Sequence, residues 1–166
     1  MIYLLISIFL DIFCSLFISS SYQNINILFP SILIGSFPVF YVIIRKEKVF
    51  LICISVLGII YDLLFSDIFL MNTYYCLLYG LFISLFFKEH RISAFNIIIL
   101  SITGTCCYDV FIFFIILLNN YSVFNINELY YKIRHTFLIN FLYVTISIFV
   151  LKSRIFSLKK SKKGYI

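Results

Sequence analysis

The chain has 166 residues, 63% of them hydrophobic and only 12% charged, with a formal net charge of +6. A soluble domain carries about 25% charged and about 45–50% apolar residues, so too little polar surface is available here to cover a water-exposed globule. The positive charge is no nucleic-acid surface either. Six of the 13 basic residues (Lys152, Arg154, Lys159, Lys160, Lys162 and Lys163) lie beyond residue 151, and most of the others sit in short turns.

That balance predicts an all-α, polytopic membrane protein. At about 20 residues per span, the chain accommodates about six transmembrane helices in a single transmembrane domain, 1–151, followed by a basic cytoplasmic tail, 152–166. The first span covers about 1–20. It lacks a basic leader and a small-residue cleavage site, so it reads as a retained span and not as a signal peptide. Asp11 lies in its middle, where an acid faces the bundle interior, either as a hydrogen-bonded structural residue or as a functional one. Residues 19–24 form an uncharged turn.

The second span is about 26–44, with Pro30 in its first turn and Gly35 and Pro38 inside, a pattern that predicts a kink or local unwinding. Arg45-Lys46-Glu47-Lys48 ends it. The third span, about 49–65, and the fourth, about 68–87, are joined by a very short turn, so they are antiparallel neighbours. Asp67 belongs to that turn and reads as solvated. Asp62 and Asn72 fall at similar depth on the two helices, within hydrogen-bonding reach of each other. Lys88-Glu89-His90-Arg91 closes the fourth span.

The fifth span, about 95–118, is long enough to tilt. Its small residues Gly104, Thr105, Cys106 and Cys107 suit close helix packing, and Asp109 follows one turn on. Residues 119–135 space Ile126, Leu129, Tyr130, Ile133 and, at the junction with the last span, Phe137 at three to four residues alongside Glu128, Lys132 and Arg134, and read as an amphipathic segment lying along the interface. The last span is about 136–151.

Basic turns alternate with uncharged or acidic ones. Arg45, Lys46 and Lys48, then Lys88 and Arg91, then the tail with Lys159, Lys160, Lys162 and Lys163 mark the cytoplasmic side and contact anionic lipid. Both termini are then cytoplasmic. Lys132 and Arg134 in the fifth loop are the exception, balanced in part by Glu128. This orientation puts Asp62, Asn72 and Asp109 in the outer half of the membrane, with Asp11 nearer mid-depth, and predicts a polar cluster opening outward.

Signals for chemistry are sparse. The chain has no Gly-rich phosphate loop and no HExxH motif, and its two histidines are not paired. The five cysteines lie in apolar runs without CxxC or Cys/His ligand spacing, and read as small buried thiols. The expectation is a protein that is no enzyme and carries no metal and no cofactor.

One stretch carries more information than the rest: Gly58-Ile59-Ile60-Tyr61-Asp62-Leu63-Leu64-Phe65-Ser66-Asp67-Ile68-Phe69-Leu70-Met71-Asn72-Thr73, with Gly80 later in the same helix as Asn72. It is partly echoed by Gly104-Thr105-Cys106-Cys107-Tyr108-Asp109. Together with the chain length and six apolar runs, this stretch resembles the rod-shape-determining membrane protein family MreD. That family has a Gly, then Leu-Asp-Leu, a glycine-containing turn, Leu-Gly-Leu-Asn and a later Gly. Gly58, Asp62, Asn72 and Gly80 match, whereas Ser66 and Leu70 stand where glycines are common.

The resemblance implies a non-enzymatic scaffold of the bacterial cell-elongation machinery in the inner membrane. Its implied partners are an MreC-like bitopic protein, an MreB-like actin homologue, and a SEDS glycosyltransferase with its transpeptidase. The family is similar in architecture to the substrate-binding subunits of energy-coupling-factor transporters. The alternative is therefore a membrane subunit that binds a small, vitamin-like ligand in an outward pocket.

Overall fold

The computed structural model describes residues 2–18, 31–65, 70–118 and 126–161. Among them the secondary structure is α-helical: α1 (Ile2–Ile18), α2 (Ile32–Ile44), α3 (Glu47–Phe65), α4 (Met71–Glu89), α5 (Ala94–Leu118) and α6 (Ile126–Ser161). Pro30, Asp67, Lys162, Lys163 and the turn at 19–24 lie outside the described residues. Two helical stretches, Ala94–Ile115 and Lys132–Leu151, are long and apolar enough to cross a membrane, and Tyr3–Phe13 and Ile32–Ile44 are shorter apolar ones. Twenty-two residues at helical rise reach about 33 Å, the thickness of a hydrocarbon core.

Helix starts and stops have identifiable local causes. Ser93 caps α5, its hydroxyl accepting the N–H of Asn96 at 3.1 Å. The last turn of α2 closes at Arg45, whose φ is 55°. Its N–H donates to the Tyr41 carbonyl at 2.8 Å, and its Nε donates to the Val42 carbonyl at 3.2 Å, so two carbonyls left over at the helix end are satisfied. The helix α2 continues through Pro38, and its residues 32–42 are all buried.

The helix α6 joins the described part, 126–135, of what the sequence sets apart as an interfacial segment (119–135) to the last span (136–151) and the start of the tail. No Gly or Pro interrupts 126–161, so nothing in the backbone chemistry stops the helix where the polarity changes. Its faces also differ from expectation. Lys132 is buried, along with Thr136, Asn140 and Val144, while Tyr130, Phe137, Leu138 and Phe141 are exposed. A lysine inside needs a counter-charge, and α5 supplies it.

The chain forms two compact units, Met1–Ser36 with Ile99–Tyr143, and Phe37–Ile98 with Val144–Ile166. In the first unit, α5 meets α6 at Asp109 and Lys132, and α1 meets both α2 and α6. Ser7 and Tyr143 share a hydrogen bond at 2.8 Å, and the Tyr3 and Tyr143 rings stack at 5.9 Å. In the second unit, α3 and α4 form an antiparallel hairpin over an aromatic core. Tyr41 meets Phe50 edge-on at 5.0 Å and stacks on Phe87 at 5.5 Å, geometries that the ring quadrupoles favour. Phe37 stacks on Tyr79.

Candidate functional site

The residues singled out between Gly58 and Gly80 meet along one seam, the α3–α4 hairpin. The α4 helix starts at Met71, after a residue that cannot cap it: Leu70 has no side-chain acceptor and sits in the left-handed region at φ 63°. The first N–H groups of any helix need partners, and inside a protein an unmet one is costly. Asp62, reaching across from α3, meets that need. Its two oxygens accept the backbone N–H of Asn72 at 2.8 Å, the N–H of Thr73 at 2.9 Å and the Thr73 hydroxyl at 2.6 Å. The Asp62–Asn72 bond thus runs from the asparagine backbone, in the first turn of the helix. A carboxylate at a helix N-terminus also meets the positive end of the macrodipole.

The glycines bring the two helices close enough for this bond. A Cβ on Gly58 would lie 2.6 Å from the Cα of Thr73, the residue that Asp62 binds. On the opposite helix, a Cβ on Gly80 would collide with the Cδ1 of Ile54. At the far end of the hairpin, Glu47 accepts from the Ser84 hydroxyl at 2.7 Å and pairs with Lys88 at 2.8 Å. The Lys88 ammonium, then the Ser84 hydroxyl, hold the Glu47 carboxyl below its usual range, and Glu47 in turn raises Lys88.

Asp11 does in the first unit what Asp62 does in the second. It is fully buried, and its oxygens accept the backbone N–H of Ile32 at 2.8 Å and of Leu33 at 2.9 Å, at the start of α2. The residue before that helix is again left-handed: Ser31 has φ 50°. Two helices therefore take their N-terminal cap from an aspartate on the preceding helix.

Asp109 breaks the pattern. It is buried on α5, and α6 passes it as a continuous helix whose backbone N–H groups are bonded within the helix. Side chains replace them: Lys132 Nζ lies 3.5 Å from Asp109 Oδ1, both side chains almost wholly buried, and Thr136 flanks the carboxylate one turn on. Neither carboxylate oxygen has a hydrogen-bond partner among the described residues.

Around this pair runs a polar seam. Ser101, Thr105 and Asp109 recur every four residues on α5, and Lys132, Thr136 and Asn140 do so on α6; all six are buried. Gly35 of α2 fits between them, since a Cβ there would lie 2.5 Å from Asn140 Oδ1 and 3.3 Å from Thr105 Cγ2. Gly104 is buried on α5, next to Thr105.

Each of the flagged carboxylates is thus engaged by a different helix: Asp11 by α2, Asp62 by α4, Asp109 by α6. Lys132, Thr136, Asn140, Thr73 and Gly35 are contributors that the sequence reading did not place at these sites. The every-fourth-residue spacing of polar residues on α5 and α6 was the available signal. No group of three or more His, Cys, Asp or Glu placed to hold a metal ion occurs among the described residues. No protein-family model, no curated protein and no solved structure matches the chain.

Proposed function

We propose that the chain is a six-span scaffold of the bacterial cell-elongation machinery, lying in the inner membrane with both termini in the cytoplasm. The observation that carries this reading is the convergence of Gly58, Asp62, Asn72 and Gly80, the residues of the MreD resemblance, on one helix–helix seam. There the glycines let the helices approach, and the carboxylate is fully engaged in holding a helix start. Residues so used serve architecture, as a non-enzymatic scaffold requires.

The membrane setting is supported by the side chains left outside. Phe9, Ile52, Leu63, Phe95 and Phe149 are large, apolar and exposed, on four helices whose buried faces carry serine, threonine and aspartate. A water-soluble monomer rarely exposes so much apolar surface, whereas lipid tails accept it and leave small and polar residues to join the helices. Basic Arg45, Lys46, Lys48, Lys88 and Arg91 support cytoplasmic turns after α2 and α4. An MreC-like bitopic protein, an MreB-like filament and a SEDS synthase with its transpeptidase are the proposed partners, with anionic lipid along the basic turns and tail.

A second reading rests on the buried α5–α6 seam. Its lysine, aspartate, threonines and asparagine are the residue types that line a polar-ligand site, as in a small-ligand subunit of an energy-coupling-factor transporter. Affinity purification from native membrane in mild detergent, with mass spectrometry of proteins and small molecules, separates the two. Recovery of MreC, MreB or wall synthases supports the scaffold. Recovery of a coupling ATPase complex, or of a stoichiometric vitamin-like molecule, overturns it.

A further inference from the structure

Three helices carry an aspartate four residues after a small one: Ser7 and Asp11, Gly58 and Asp62, Thr105 and Asp109. In the first two cases the carboxylate holds the backbone of the next helix by two N–H bonds at 2.8–2.9 Å. Such a cap opens only if the first turn of that helix unwinds. In the third case the next helix starts six residues before the lysine opposite the carboxylate, at Ile126. The hold there is made by side chains, Lys132 at 3.5 Å with Thr136 beside it, and not by the start of a helix.

We propose that the N-terminal part of α6, from Ile126 to about Thr136, is a strap that the Asp109–Lys132 pair latches onto α5, and that it opens as a unit while the rest of the fold stays closed. The energetics of a buried ion pair favour this. Desolvation of two ions offsets much of their mutual attraction, so the intact pair contributes little net stability. Parting the two groups lets water hydrate both. Neutralising one partner is a different matter, because it leaves the other buried and uncompensated. The six residues that precede Lys132 extend the strap by about 9 Å at helical rise. Once released from α5 the strap frays, since a helical segment of so few residues is marginal without packing, and its amides then exchange.

Hydrogen exchange read by mass spectrometry on the full chain in lipid nanodiscs tests this. Asp109→Asn and Lys132→Met, each alone, are expected to raise exchange several-fold across 126–136 and to leave α3 and α4 at wild-type protection. The exchanged pair, Asp109→Lys with Lys132→Asp, and the doubly neutral Asp109→Asn with Lys132→Met are expected to return protection toward wild type. Wild-type exchange in both single variants would overturn the latch. So would a loss of protection spread over the whole chain in the single variants, the result expected of a static structural pair.

Discussion

Asp62 shows how one side chain sets the junction of two helices. Its carboxylate accepts three hydrogen bonds from the first turn of α4, so Asp62→Ala removes a cap and leaves two buried N–H groups without their acceptor. The expected cost is about 2–5 kcal/mol, read as a lower thermal midpoint and lower abundance in membranes. Asp62→Asn keeps one carbonyl acceptor and is expected to cost less. Unchanged abundance of the alanine variant would remove the capping account. Leu70 tests the same junction from the other side. At φ 63°, a β-branched side chain is strained, so Leu70→Val is expected to destabilise by about 1–2 kcal/mol, while Leu70→Gly is tolerated.

Glu47 and Lys88 add a pH dependence with a definite sign. The folded pKa of Glu47 lies below its ordinary 4.5, so its contribution is complete above that value and is lost as pH falls through the depressed one. That of Lys88 lies above 10.5, so its contribution is complete below 10.5 and is lost as pH rises through the raised value. The difference in thermal midpoint between wild type and Glu47→Gln is therefore expected to be flat between these limits and to shrink outside them. High salt is expected to shrink it at every pH, since the pair is exposed.

At the scale of elements, the α3–α4 hairpin illustrates why two glycines in one seam differ in weight. The neighbour of Gly58 is the backbone of Thr73, which is itself tied to Asp62; it cannot retreat without loosening the cap. The neighbour of Gly80 is the tip of Ile54, which turns about its own side-chain bonds. Gly58→Ala is expected to cost about 1–3 kcal/mol and Gly80→Ala markedly less. Thermal unfolding of the two variants in the same detergent checks the order. The polar faces of α5 and α6 obey a related rule: hydroxyl, amide and charged groups recur every four residues because that spacing keeps them on one side of a helix. Turned inward, they leave the apolar side chains on the outside.

For the whole molecule, the proposed orientation makes a prediction independent of any partner. Reporter fusions at either terminus, and in the turns at 45–48 and 88–91, are expected to score as cytoplasmic. Neutralising Arg45, Lys46 and Lys48 together is expected to weaken that preference, since basic residues beside the spans set it. A C-terminal reporter found outside would overturn the six-span arrangement. The two compact units differ in what fills them. The second is packed by aromatic rings, whereas the first concentrates Ser101, Thr105, Asp109, Lys132, Thr136 and Asn140 in its interior. That contrast locates the strap.

Composition and periodicity alone made the helices legible. Apolar runs ended by charge, Pro or turn residues mark where α1, α3, α4 and α5 lie to within two or three residues, because burying backbone polar groups in an apolar setting demands a helix. Gly58, Asp62, Asn72 and Gly80 stood out for a similar reason: a carboxylate or a gap in so apolar a stretch has a cost that something must offset. Partners were a different matter. Nothing local tells whether Asp11 binds a side chain, a water or a helix start, and nothing near Lys132 shows that it turns inward. Those outcomes depend on which helix lies opposite, a long-range fact. Tertiary structure decided that Asp11 and Asp62 cap the helices that follow them, that α6 runs unbroken past Asp109, and that Lys132 answers its charge. A buried ion needs its counter-ion within a few ångströms, and only the folded chain sets that distance.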